Sequence, residues 1–185
     1  MSLRRWFAVA AIGRDRAGIV ADLSECAFEC GCNLEDASMT MLGTEFSTLM
    51  LLSSAETDAL ARLTEAFRRL EWERHLTIFF RPLETAPLPS IPPDAVAHRL
   101  TVQGVDKAGI VARISRCLAN RGIHITDLRS RTTPAPGMGT PVYTLDIRMS
   151  LPAGLAAETA SFEQEIRDIA ADLNVEVEVA PELTD

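Results

Sequence analysis

The chain is short of aromatic residues, with one Tyr, two Trp and seven Phe among 185 positions. It has only three His and four Cys, and its 18 basic residues are outnumbered by 26 acidic ones. Each scarcity excludes something. A net charge of −8 argues against direct nucleic-acid binding, which draws on basic surface. The short basic spots Arg4-Arg5, Arg68-Arg69 and Arg129/Arg131 sit among acidic residues and read as solvated surface. No apolar run approaches the roughly 18 residues of a membrane span. Met1-Ser2-Leu3-Arg4-Arg5 has no signal-peptide pattern, so a cytoplasmic location is expected. Cys26, Cys30 and Cys32 form C-x3-C-x-C with no His close by, which is not a usual zinc spacing. Together with Cys117 they read as buried thiols, and no metal or other cofactor is expected. Three His without a nucleophile motif or a phosphate-binding loop leave no catalytic constellation. Glu163 and Glu165 read as solvated residues on the outward face of a helix.

What the chain does have is a repeat. Gly13-Arg14-Asp15-Arg16-Ala17-Gly18-Ile19-Val20-Ala21 returns as Gly104-Val105-Asp106-Lys107-Ala108-Gly109-Ile110-Val111-Ala112, 91 residues later. The register continues without gaps through Ser24/Ser115, Cys26/Cys117, Gly31/Gly122 and Asp36/Asp127, with 11 of the 24 positions from Gly13 to Asp36 identical. A period this long suits a small domain rather than a solenoid unit, and predicts a tandem duplication. Domains of that size are marginal alone, so the halves are expected to pack or to associate with another copy.

The halves share one order of elements. The apolar run Trp6 to Ile12, ended by Gly13, reads as a buried strand. Ile19, Val20, Leu23, Cys26, Ala27 and Cys30 mark one face of an amphipathic helix stopped by Gly31. Asn33 to Met41 and Phe46 to Leu52 read as strands joined by a turn at Leu42-Gly43-Thr44-Glu45. Ser53-x-x-Glu56 has the shape of a capping box for a second helix with Leu60, Leu63, Phe67 and Leu70 inward. His75 to Phe80 closes the half as a strand.

Residues 84–94, with Pro87, Pro89, Pro92 and Pro93, form a semi-rigid linker between domains at 1–83 and 95–185. The second half then repeats: strand Val96 to Val102, a helix with Ile110, Val111, Ile114, Cys117 and Leu118 inward, and strands Ile123 to Arg131 and Val142 to Met149. A last helix begins near Pro152 with Leu155, Phe162, Ile166, Ile169 and Leu173 inward, before strand Val175 to Val179. The copies differ chiefly at Thr132 to Pro141, a Pro- and Gly-rich loop that suits a lid, a partner contact or a tolerated insertion. Two βαββαβ units predict an α+β protein with two ferredoxin-like antiparallel sheets, each carrying helices on one face.

The repeated segment spans the end of a strand and the start of a helix. A helix N-terminus offers unpaired N–H groups and a positive dipole end. With Gly18 or Gly109 in the first turn, no side chain blocks a carboxylate from those amides, and Asp15 or Asp106 could take an ammonium group. The alternative is that the Asp caps the helix and the Gly permits close packing.

At these residues the chain resembles a known family. Asp-x-x-Gly-Ile-Val entering the first helix of each half is followed by Gly31-Cys32-Asn33-Leu34-Glu35-Asp36 or Gly122-Ile123-His124-Ile125-Thr126-Asp127. Two such units are similar to tandem ACT domains. Two of them with nothing else, and with Gly139-Thr140-Pro141 before the third strand of the second half, resemble the glycine cleavage system transcriptional repressor family. The resemblance implies sensing of a small amino acid, of glycine or serine size, at the interface of paired domains. It implies regulation through a partner protein such as a transcription factor, self-association into a dimer or larger assembly, and no catalysis. Carried over by position, the ligand-facing candidates are Asp15, Gly18, Ile19, Asn33, Asp106, Gly109, Ile110 and His124.

Two other readings belong beside it: an interaction module with vestigial ligand sites, and a detached regulatory subunit of an amino-acid enzyme. An enzymatic reading fails on chemistry. Val102-Gln103-Gly104-Val105 looks like the phosphate-cradling loop of acylphosphatases, but the arginine that must clamp the phosphoryl group is replaced by Ala108.

Overall fold

The computed structural model describes residues 4–88, 91, 94–105, 109–134, 141–152, 154 and 159–182. The chain divides into two compact units, Met1–Leu88 and Pro89–Asp185. The first is built from β1 (Arg5–Arg14), α1 (Ile19–Glu29), β2 (Asn33–Leu42), β3 (Glu45–Ser54), α2 (Ala59–Arg74) and β4 (Thr77–Leu83). The second repeats the order as β5 (Val96–Val105), α3 (Ile110–Asn120), β6 (His124–Pro134), β7 (Pro141–Leu151), α4 (Thr159–Leu173) and β8 (Glu176–Pro181). Each forms one antiparallel four-stranded sheet, ordered β2-β3-β1-β4 and β6-β7-β5-β8. This is the expected α+β, twice βαββαβ architecture.

Period two in the strands and 3.6 in the helices place one core per unit between sheet and helices. In the first, Phe7, Val9 and Ala11 of β1 and Phe46, Met50 and Leu52 of β3 meet Ile19, Leu23, Leu63 and Phe67 from the helices. Phe7 and Phe80 stack at 5.4 Å between ring centroids. In the second, Leu100, Val102, Leu145 and Ile147 meet Ile110, Ile114, Phe162 and Ile166.

Both first helices end alike. The Cys32 N–H donates to the Ala27 carbonyl and the Gly31 N–H to Phe28, as Ile123 does to Leu118 and Gly122 to Ala119. That is the Schellman pattern, and it satisfies the last carbonyls of each helix before the chain enters its edge strand.

Several local expectations need correction. Ser53 and Ser54 belong to β3, and α2 begins at Ala59 with Asp58 as N-cap and no side-chain cap. The capping box is therefore absent: the Ser54 hydroxyl donates to the Gly31 carbonyl and accepts from the Glu56 N–H, pinning the strand end instead. The buried stripe of α2 starts at Ala59, leaving Leu60 exposed, and Val20 of α1 is exposed for the same reason. Each stands one residue, about 100° of helix turn, past the first buried position.

The first half's last strand begins at Thr77, because His75 adopts a left-handed conformation (φ 53°) and ends α2. The last helix is described from Thr159, with Leu155 outside the described residues, and its buried stripe takes in Ala170 while Ile169 is only partly covered. Glu165 is not simply solvated: it pairs with Arg121 at 2.7 Å across the two helices. Of the loop at 132–141, residues 135–140 lie outside the description, as do 89, 90, 92 and 93 of the linker.

The close approach that needs glycine lies in the first strand of each unit. A Cβ on Gly13 would come within 2.6 Å of Leu76 Cδ2, and one on Gly104 within 2.7 Å of Val175 Cγ1 and 3.3 Å of its Cα. Val175 is β-branched and cannot swing away as the tip of Leu76 can. Gly104→Ala is expected to lower stability by about 1–3 kcal/mol in chemical denaturation, and Gly13→Ala by less.

All four cysteines are buried free thiols. Burial pushes Cys26 and Cys117 up to about 11, with Cys30 adding to the effect at Cys26 and Glu165 at Cys117. The thiolate is the reactive form. At pH 8 the native chain is expected to resist iodoacetamide, with all four thiols labelled once it is denatured; mass spectrometry gives the count.

Candidate functional site

Among the described residues, both repeated segments enter their helix through a glycine of the same conformation. Gly18 (φ 91°) precedes α1 and Gly109 (φ 95°) precedes α3, and neither helix has a side-chain cap. The N-cap role proposed for the aspartate is therefore filled by glycine. Close packing among the described residues does not explain these glycines either: a Cβ on Gly18 would meet only Arg16 Nη1 at 3.7 Å, and one on Gly109 no described atom within 4 Å. The positive φ requires them. Neither glycine sets a side chain of its own over the first turn of its helix.

Neighbouring contacts hold the first turn in place. The Asp15 N–H donates to the Thr44 carbonyl at 2.9 Å, tying the segment to the β2–β3 turn. Arg16 bonds Asp22 in α1, and Arg74 of α2 lies 3.1 Å from the same carboxylate. The hydrogen bond from Arg16, helped by the Arg74 charge, holds the Asp22 carboxyl below its usual range despite partial burial. The Asp15 carboxylate is exposed beside this pair. Asp106, its equivalent, lies outside the described residues. Ile19 and Ile110 turn their side chains into the two cores, so only their main chain can face a ligand.

Asn33 and His124 are exposed first residues of β2 and β6. Asn33 pairs with Ser53, and Ser53 with Trp6, at the start of β1. Gly13 lies at the other end of β1, about 23 Å away along the strand. His124 stands likewise beside Ser150 and Ala97, far from Gly104. A single unit thus brings Asp15, Gly18 and the Ile19 backbone together and keeps Asn33 apart. Just beyond Asn33 and His124 both edge strands carry a bulge, between Leu34 and Asp36 and between Ile125 and Asp127.

Comparison with known proteins places this architecture. A family model for the ACT domain matches residues 6–81, nearly the whole of the first unit. The first unit is an ACT domain, and the second repeats its order of elements. It is 28% identical over 176 residues to the glycine cleavage system transcriptional repressor of Escherichia coli strain K12, covering 95% of this chain and 90% of that protein. A crystal structure of an unknown protein from Galdieria sulphuraria matches with a TM-score of 0.74 at 26% identity, over 98% of this chain and all of that one. Another crystal structure, provisionally assigned as a glycine cleavage system transcriptional repressor, matches with the same TM-score at 21% identity, over 99% of this chain and all of that one.

The two ACT domains differ on the sheet face that carries no helices, a contrast the sequence reading missed. In the first, that face holds Ala8, Ala10 and Ile12 of β1, with Leu49 (58% exposed) and Phe79 (60%) paired to either side of Ala10. In the second it holds Arg99, Thr101, Gln103, Thr144, Asp146 and Arg148, with Arg99 forked onto Asp146 at 2.9 and 3.1 Å from Nε. The signal was present: Trp6 to Ile12 is apolar at every position, whereas Arg99 to Gln103 alternates. Among the described residues no helix is long and apolar enough to cross a membrane.

Alanine at Gly18 or Gly109 would have to adopt the left-handed conformation, so each substitution is expected to lower stability by about 1–2 kcal/mol. Asparagine, which tolerates that region, should cost less. Urea titration of the four variants checks the order.

Proposed function

We propose that the chain is a non-enzymatic regulator that senses a small amino acid, of glycine or serine size, where two ACT domains pair, and that signals through protein contact. The separation of Gly18 from Asn33 within one domain carries this reading. A ligand that uses both ends of a domain's candidate set must lie between two domains. The edge strands β2 and β6 have one side free for such pairing, and every described position of β2 is exposed. Antiparallel pairing of edge strands sets the start of one beside the end of the other. The open first turn of one domain then meets Asn33 or His124 of its partner.

In that arrangement the first-turn amides at Gly18-Ile19 or Gly109-Ile110 receive the ligand carboxylate. Asp15 or Asp106 takes the ammonium group, and Asn33 or His124 closes the site from the other domain. No side chain projects at the glycine, which leaves room for a small ligand. Because Asn33 is replaced by His124 in the repeat, the two kinds of site differ in affinity. Ligand shifts the population toward the paired arrangement, and a partner that prefers one arrangement reads the shift. Similarity to the Escherichia coli repressor supports a transcriptional output in the cytoplasm. The net charge of −8 favours a regulatory protein or transcription factor over DNA as the direct partner. The apolar sheet face of the first ACT domain supports output by protein contact.

A thermal-shift screen against the twenty amino acids tests the reading. A ligand at 100 times its Kd adds about 2.7 kcal/mol, enough to raise the melting temperature by several degrees. Glycine or serine is expected among a few selective hits, and the double variant Asp15→Asn/Asp106→Asn should lose the shift while melting normally without ligand. A flat screen of the folded protein would sink the proposal.

A further inference from the structure

The exposed helix layers of the two ACT domains carry opposite charge at equivalent positions. α1 holds Asp22, Glu25 and Glu29 and no basic residue; 91 residues on, α3 holds Arg113, Arg116 and Asn120 and no acidic one. The second helices invert in the other sense at Arg69, while Arg68/Arg167 and Glu73/Asp172 keep their sign. Ile12 pairs with Thr77 and its equivalent Gln103 with Glu176, so the offset there is 99 residues, the difference between 176 and 77. By that offset Arg69 of α2 becomes Asp168 of α4, and Ala66 becomes Glu165. Size inverts too: Phe28 and Trp72 are 78% and 83% exposed, and alanines 119 and 171 stand exposed in their places.

Pairing inside each domain explains part of this. Asp22 meets Arg74 at 3.1 Å, Arg113 meets Asp172 at 2.9 Å and Arg121 meets Glu165 at 2.7 Å. It leaves the outward-facing residues unexplained. Glu25 and Arg116 are exposed and have no ion-pair partner among the described residues. Nor does internal pairing account for two large exposed aromatics on one layer and two alanines on the other.

We infer that the chain self-associates by docking the helix layer of its first ACT domain onto the helix layer of the second ACT domain of another copy. Acidic α1 lies over basic α3, and α2 with Arg69 lies over α4 with Asp168. Phe28 and Trp72 are the apolar anchors, and the small residues of the opposite layer leave room for them. Because the surfaces are unlike, each copy offers one layer of each kind to the other. Charge selects the unlike layer; two first-domain layers would bring their aromatic knobs together. Self-association through these layers needs no amino acid and is separate from the ligand site.

Sedimentation equilibrium of the full chain without ligand, at about 50 mM and about 1 M salt, is the test. A dimer that weakens at high salt is expected. Glu25→Arg and Arg116→Glu should each weaken association about tenfold, with circular dichroism unchanged because both side chains face solvent. An equimolar mixture of the two variants should recover dimerisation: the altered first domain of one meets the altered second domain of the other, and the remaining pair is native. A monomer at both salt concentrations overturns the inference. So does a dimer indifferent to the substitutions, or a loss that mixing does not rescue.

Discussion

The passage from the first strand into the first helix of each ACT domain runs through a glycine at positive φ, and the rest of the candidate site depends on that turn. It aims the helix so that Ile19 or Ile110 enters the core. Residues with a Cβ meet steric resistance in this conformation, so the same glycine that shapes the turn also leaves no side chain over it. Shape and accessibility come from one constraint. The neighbouring glycines, Gly13 and Gly104, serve a different end: they let the strand lie against Leu76 or Val175, where a methyl group would collide.

Strand direction then decides how far one domain can go. β1 and β2 run the same way in the sheet, because both are antiparallel to β3. The residue that opens β2 therefore lies at the start of β1, and the first turn of α1 lies at its end. No side-chain choice within a single domain can bring the two together. Under the proposed function a duplicated chain meets that constraint, since each domain can supply the end that another lacks. The copies nevertheless differ. The open sheet face is apolar in one and charged in the other, and the first helices carry opposite charge. Such differences assign distinct surfaces to domains with one backbone.

Element order and most core positions were legible because they follow periodicity. Leu23, Cys26, Leu63, Phe67, Ile114 and Phe162 all lie where a 3.6-residue repeat predicts, and all are buried. The misplaced features were local choices among competing hydrogen bonds. The hydroxyl of Ser54 serves the strand end rather than a helix cap, and the buried stripe of α2 begins one residue before the leucine that seemed to start it. Glu165 looked solvated because its partner, Arg121, is 44 residues away. Of the ligand-facing candidates, Asp15 and Gly18 were legible as neighbours along the chain. That Asn33 stands apart from them was not, because it depends on sheet order.

By itself, then, the sequence determined the duplication, the βαββαβ order, the apolar stripes of strands and helices and the two glycine turns. Those follow from backbone sterics and from burial repeated at short, regular intervals. Tertiary structure alone decided which residues share an end of the sheet, which sheet face stays open, and which charges find partners across the helices. Those depend on strand order and on contacts between residues distant in the chain, and local periodicity carries no record of them.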